Sequence, residues 1–155
     1  MSNRGSALSN PWQAVSSPTR RGSLRGSHAG TDAGACLPGF WNPYYVAGLV
    51  TGRDKRIGAC ADTGHWARSG LKPVECLRIL KGRISSSHLK DLNKTGGDAH
   101  DVPYGTGVCD IKACLDELKK QGFDGNISIE YEYNWDNSVP EVTQCIDFVR
   151  NCGGK

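Results

Sequence analysis

Asp62 and His65 stand three residues apart in ADTGHW, residues 61–66, and His88, Lys90 and Asp91 follow within HLKD, residues 88–91. Glu130 and Glu132 alternate with Tyr131 in NISIEYEY, residues 126–133. Carboxylates and imidazoles can bind a divalent cation or move protons. Asp62, His88 and Glu130 would together supply two oxygens and one ring nitrogen. That donor set suits Mn, Mg, Co or Zn with positions left open for a substrate. A plainer reading competes with it: Asp62 caps a turn, His88 is a satisfied core histidine and Glu130 pairs with a lysine. Spacing alone leaves both open.

What must position these residues is a repeated alternation of short apolar run, polar loop and amphipathic segment. RIGACAD, residues 56–62, is small and apolar without alternation, as a strand covered on both faces would be. RISSSHLKD, residues 83–91, reads as a second short strand and NISIEYEY as a third with period two. Helices are predicted over 72–82, where Pro73 suits the first turn and Gly82 the stop, and over 110–122, where Asp110 caps and Gly122 ends the element. A last helix opens at SVPE, residues 138–141, with Ser138 and Glu141 spaced as a capping box. NPYYVAGLV, residues 42–50, is a short helix or the remnant of one.

Strand and helix thus alternate three times, the pattern of an α/β fold with a parallel sheet. Each strand ends in ionisable groups, and ligands bind at the carboxyl ends of strands in such folds. If Ile127 and Ile129 face the helices, then Ser128, Glu130 and Glu132 face the opposite way, toward a barrel interior. A carboxylate aimed into a covered interior is costly unless a cation or hydrogen bonds compensate it. No Gly-x-Gly-x-x-Gly follows a strand, and the lone Gly105-Thr106-Gly107 is weak evidence for phosphate binding.

The chain of 155 residues suits one domain with a real core. Residues 1–39 are rich in Ser, Gly, Arg and Pro without periodicity and are expected to form a disordered basic tail ahead of a folded domain at 40–155. A net charge of +3 is too small to imply nucleic acid or membrane partners, and no apolar run is long enough to span a bilayer. The seven cysteines form no Cys-x-x-Cys pair and are expected as buried free thiols of a reducing, cytoplasmic setting.

At the level of motifs, Asp-x-x-His (62–65), His-x-Lys-Asp (88–91), the Gly-x-Gly loop (105–107) and Ile-x-Ile-Glu (127–130) form a set. The stretch from 42 to 152 that carries them resembles the C-terminal part of the sugar phosphate isomerases and epimerases. These belong to the xylose-isomerase-like (β/α)8 TIM barrels, of which about three β/α units are read here. The resemblance implies that Asp62, His88 and Glu130 bind a divalent metal ion, with Glu130 also a catalytic acid/base group. It places His65 on the substrate or a second metal, Lys90 and Asp91 near the substrate, and His100 as a further substrate contact. Trp66 either walls the sugar pocket or packs. The implied reaction is metal-assisted proton transfer next to a carbonyl, through an enediolate, on a small sugar or sugar phosphate.

A full barrel needs eight units and about 250 residues. The family also draws a second metal-binding glutamate from an earlier strand, whereas the first glutamate here is Glu75, beyond the Asp-x-x-His motif. Activity is therefore expected to be impaired unless further copies or a complementing chain supply the missing strands. The alternative is a catalytically inactive fragment. Abasic-site endonucleases share the barrel but use more histidines than the four present, one of which, His28, lies in the tail. That third reading carries less weight.

Overall fold

Three of the apolar runs become parallel strands, and the segments between them become the helices that cover one face. The computed structural model describes residues 39–153, so the expected disorder of the tail, with Cys36 and His28, falls outside the described residues. In chain order the elements are α1 (Pro43–Val50), β1 (Ala59–Asp62), α2 (Thr63–Arg68), α3 (Pro73–Ile79) and β2 (Ile84–Leu89). They continue with β3 (Asp91–Leu92), β4 (Asp101–Val102), α4 (Ile111–Lys120), β5 (Asn126–Ile129) and α5 (Val139–Gly153).

The main sheet has the order β1-β2-β5 and is parallel throughout. Its register sets Asp62 beside His88 and His88 beside Ser128, so one row of side chains runs across all three strand ends. The neighbouring row, Ala61, Ser87 and Ile127, points the other way into the helices. There Ala59, Ala61, Trp66, Cys76, Leu77, Leu80, Cys114 and Leu118 form one cluster, with Ile127 packed against it. A second cluster gathers Leu89, Leu92, Tyr104, Cys109, Ile111, Leu115 and Cys145, with Ile129 against it. The expectation that Ile127 and Ile129 face the helices holds.

Helix α4 follows its sequence pattern closely. Asp110 caps it through a bond from Ala113 N at 3.1 Å, Ile111, Cys114, Leu115 and Leu118 are buried, and Gly122 follows at φ +69°. Several expectations need correction. Residues 63–68, for which no element was expected, are a helix, because Asp62 accepts a bond from His65 N at 2.9 Å and starts a turn at once. β5 stops at Ile129, and the segment 83–91 divides after Leu89, where Asp91 turns to pair antiparallel with β4. Glu141 bonds to Asn134 Nδ2 at 2.9 Å, outside the helix. Cys76, Cys109, Cys114 and Cys145 are buried free thiols as expected, but Cys60 is exposed and Cys152 half-buried. Cys60 shares the open face of β1 with Asp62, which explains its exposure.

The strands β1 and β5 are the two edges of this sheet. Exposed aromatics lie on the segments that lead into and out of them: Phe40, Trp41, Tyr44 and Tyr45 before β1, Tyr133 and Trp135 after β5. No helix among the described residues is long and apolar enough to cross a membrane.

Candidate metal and substrate site

The row at the strand ends brings Asp62, His88 and Glu130 together. One ligand atom from each lies within 4.8 Å of the others, and all three residues are half-buried. His88 Nδ1 is 2.9 Å from Glu130 Oε2 and 3.9 Å from Asp62 Oδ2. Parallel pairing of β1 with β2 fixes the first two neighbours, and Glu130 N bonds to Leu89 O at 3.0 Å to extend the ladder one residue beyond β5. Glu130 Oε2 is buried and has no hydrogen-bond partner, although the imidazole is close. The imidazole 2.9 Å away is not aligned to hydrogen-bond to it, and a buried carboxylate oxygen without a good partner costs free energy unless a further group satisfies it. A divalent cation between two carboxylates and an imidazole would do so, and the donor set fits Mn, Mg, Co or Zn.

The plainer reading of these residues is also present in the molecule. Asp62 does cap α2, and Glu130 does pair with a lysine: Lys90 Nζ lies 3.1 Å from Glu130 Oε1. The two readings use different oxygens. Asp62 Oδ1 serves His65 N while Oδ2 faces His88, and Glu130 Oε1 serves Lys90 while Oε2 faces His88.

Lys90 has no exposed side-chain surface, and its ammonium sits between Glu130 and Glu132, to which it also bonds. Burial alone would lower its pKa, but Glu132, Glu130 and Asp101 outweigh it and hold the ammonium above the ordinary lysine range. Lys90 reciprocally pulls the Glu132 carboxyl below its usual range. Asp101 Oδ2 accepts a bond from Glu132 N, and Asp101 Oδ1 pairs with Arg68 at 3.1 Å. Asp101, Arg68 and Thr63 join this network unannounced by any motif. Gly64, standing between Asp62 and His65, was the one visible signal of crowding there.

Asp91 lies elsewhere. It is buried, and its two oxygens accept four backbone N–H groups: Oδ1 from Leu92 and Cys109, Oδ2 from Gly105 and Gly107, all at 2.9–3.0 Å. A Cβ on Gly107 would stand 2.3 Å from both Asp91 Oδ1 and Leu92 O. The Gly-x-Gly loop is therefore shaped around an internal carboxylate, and its amides are not free to cradle a phosphate. Beside it, burial raises the Cys109 thiol to about 12.

His65 stands at the rim, its Nε2 3.7 Å from Asp62 Oδ2 and its side chain 45% exposed. His100 does not join the cluster. It stacks on Tyr133 with ring centroids 4.4 Å apart, beside an open groove of about 550 Å³ shared with Tyr131 and Gln144. Trp66 is buried in the core, so of its two readings packing holds.

The profile of the family described as xylose isomerase-like TIM barrel matches residues 34–152. The chain belongs to this family. As a xylose isomerase-like chain it is 33% identical over 75 residues to the L-ribulose-5-phosphate 3-epimerase UlaE of Salmonella paratyphi A. That match covers 48% of this chain and 26% of the relative. The enzyme of the same name from Salmonella paratyphi B is 34% identical over 70 residues, or 44% of this chain and 24% of the relative. The chain thus spans about a quarter of the length of the curated relatives it matches. Among solved structures, a xylose isomerase domain protein from Planctomyces limnophilus superposes with a TM-score of 0.55 at 24% identity, over 61% of this chain and 37% of that one. The IolI protein, solved with a zinc atom, superposes at 0.54 and 22% identity, over 70% of this chain and 41% of that one. Both establish the fold.

Proposed function

We propose that this chain carries one side of a metal-dependent sugar phosphate isomerase or epimerase site. The observation that carries the reading is the convergence of Asp62, His88 and Glu130 within 4.8 Å, with one Glu130 oxygen buried and turned to the His88 imidazole at 2.9 Å. The epimerase names of the matched relatives support a ketose phosphate as substrate, and the zinc in IolI supports a divalent metal.

A cation held by Asp62, His88 and Glu130 would stabilise the negative charge that develops on the carbonyl and hydroxyl oxygens of a ketose. Glu130 would take a proton from the carbon next to the carbonyl and return it, the acid/base role proposed for it. His65, half-exposed at the rim, is free to donate a hydrogen bond to a sugar hydroxyl. Lys90 and Asp91, fully engaged inside the protein, act through other residues and not on the sugar.

Exchange of the carbon-bound proton tests the reading. L-ribulose 5-phosphate is incubated in D2O with the chain and Mn2+, and the C3–H signal is followed by proton NMR. Expected is signal loss that depends on metal and disappears in Glu130→Gln. Absence of both exchange and metal binding would sink it. A second reading, a metal-binding chain that does not turn over sugar, is favoured by one observation: Cys60 and Ser128, on the same face as the cluster, are exposed, so none of the described residues walls water out there. Metal binding without exchange would select it.

A further inference from the structure

A lysine with no exposed side-chain surface next to three carboxylates is either a structural ion pair or part of the site's construction. Its route distinguishes the two. Thr63 Oγ1 donates to Lys90 O and accepts from Lys90 N, both at 2.8 Å, which pins the lysine backbone to the first residue of α2. The stem then runs against Gly64, where an added Cβ would lie 2.5 Å from Lys90 Cδ and 2.8 Å from Cγ. The glycine of the Asp-x-x-His motif is thus the gap through which the lysine passes. At its end the ammonium meets Glu130 Oε1, while Glu130 Oε2 is left facing His88.

Building on the metal site proposed above, we infer that Lys90 is the positioning residue of this site: threaded past Gly64 and held by Glu132, it fixes one oxygen of Glu130 so that the other alone faces Asp62 and His88. A carboxylate free to rotate would present either oxygen and lose that alignment. Partners of metal ligands commonly contribute a factor of about ten to a hundred in metal affinity.

The test is Mn2+ binding by the full 155-residue chain, read from the EPR signal of free Mn2+. Mn2+ is chosen because hard cations ignore exposed thiols such as Cys60. Lys90→Met removes a positive charge beside the site, so simple electrostatics would tighten Mn2+ binding. Positioning instead weakens it, by about ten- to a hundredfold. Unchanged or tighter binding, or a loss below threefold, overturns the inference. Should Lys90→Met fail to fold, Gly64→Ala carries the test. It changes no charge but displaces the lysine stem, and a loss above threefold supports the inference while a smaller one overturns it. Failure of the parent chain itself to bind Mn2+ would remove the site reading as a whole. Binding by the parent with insensitive variants removes only the role of Lys90.

Discussion

The two faces of the β1-β2-β5 sheet are built from alternate residues of the same strands and obey opposite rules. On one face Ala61, Leu89 and their neighbours are fully buried against the helices. On the other, Cys60 and Ser128 are exposed, and Asp62, His88 and Glu130 gather at the strand ends. One face supplies cohesion and the other gathers ionisable groups. The difference teaches that the apolar packing lies on one face, while the polar cluster on the other is gathered by the strand ends.

The largest expected break in this contrast comes from the packed face. Leu89→Ala should lower unfolding free energy by about 2–5 kcal/mol in a urea titration, whereas Ser128→Ala should stay within about 0.5 kcal/mol. Equal effects would erase the distinction. Next comes a comparison of the two strand-end aspartates. Asp91→Ala strips the acceptor from four backbone amides and should cost about 3 kcal/mol or more. Asp62→Ala removes one helix cap and should cost about 1 kcal/mol while abolishing metal binding.

Smaller effects sharpen the picture. A thiol reagent at pH 8 should label Cys60 rapidly and spare Cys76 and Cys109, whose thiols burial raises to about 11 and about 12. Mass spectrometry of labelled peptides reads the outcome. On the helical side, Gln121 and then Arg78 hold the Glu117 carboxyl below its ordinary range, against the opposing effect of its burial. A depressed folded-state pKa contributes stability above the ordinary glutamate pKa and loses it as pH falls through the folded value. Glu117→Gln should therefore lower Tm by a constant amount above the ordinary glutamate pKa, converge on the parent as pH falls, and so flatten the acid limb of a Tm-against-pH profile.

Much of this was legible in the residues. The period of Ile127 and Ile129 told which face of β5 packs, and the stripe of Ile111, Cys114, Leu115 and Leu118 with Asp110 before it defined α4. Asp62, His88 and Glu130 were recognisable because each lies at or just beyond the carboxyl end of a strand; parallel register sets Asp62 beside His88 and His88 beside Ser128, two residues before Glu130. What stayed hidden depends on side-chain reach and not on period. Asp62 could not be seen to start a helix immediately, since β1 and α2 share that residue without a loop. Nor could Lys90 and Asp91, adjacent in sequence, be told apart from substrate contacts. They part because alternate side chains leave a strand in opposite directions, one toward Glu130 and Glu132, the other toward the loop at Gly105 and Gly107. His100 looked like a site residue from its place before that loop, yet the β3–β4 pairing carries it to Tyr133.

The most direct test of the central claim is a Mn2+ titration of the parent chain beside Asp62→Asn, His88→Ala and Glu130→Gln, with circular dichroism confirming that each remains folded. Expected is one bound Mn2+ per parent chain, and a loss of at least about a hundredfold in affinity in each variant. Binding retained by any two of the folded variants, or no binding by the parent, would contradict a metal centre built from these three residues.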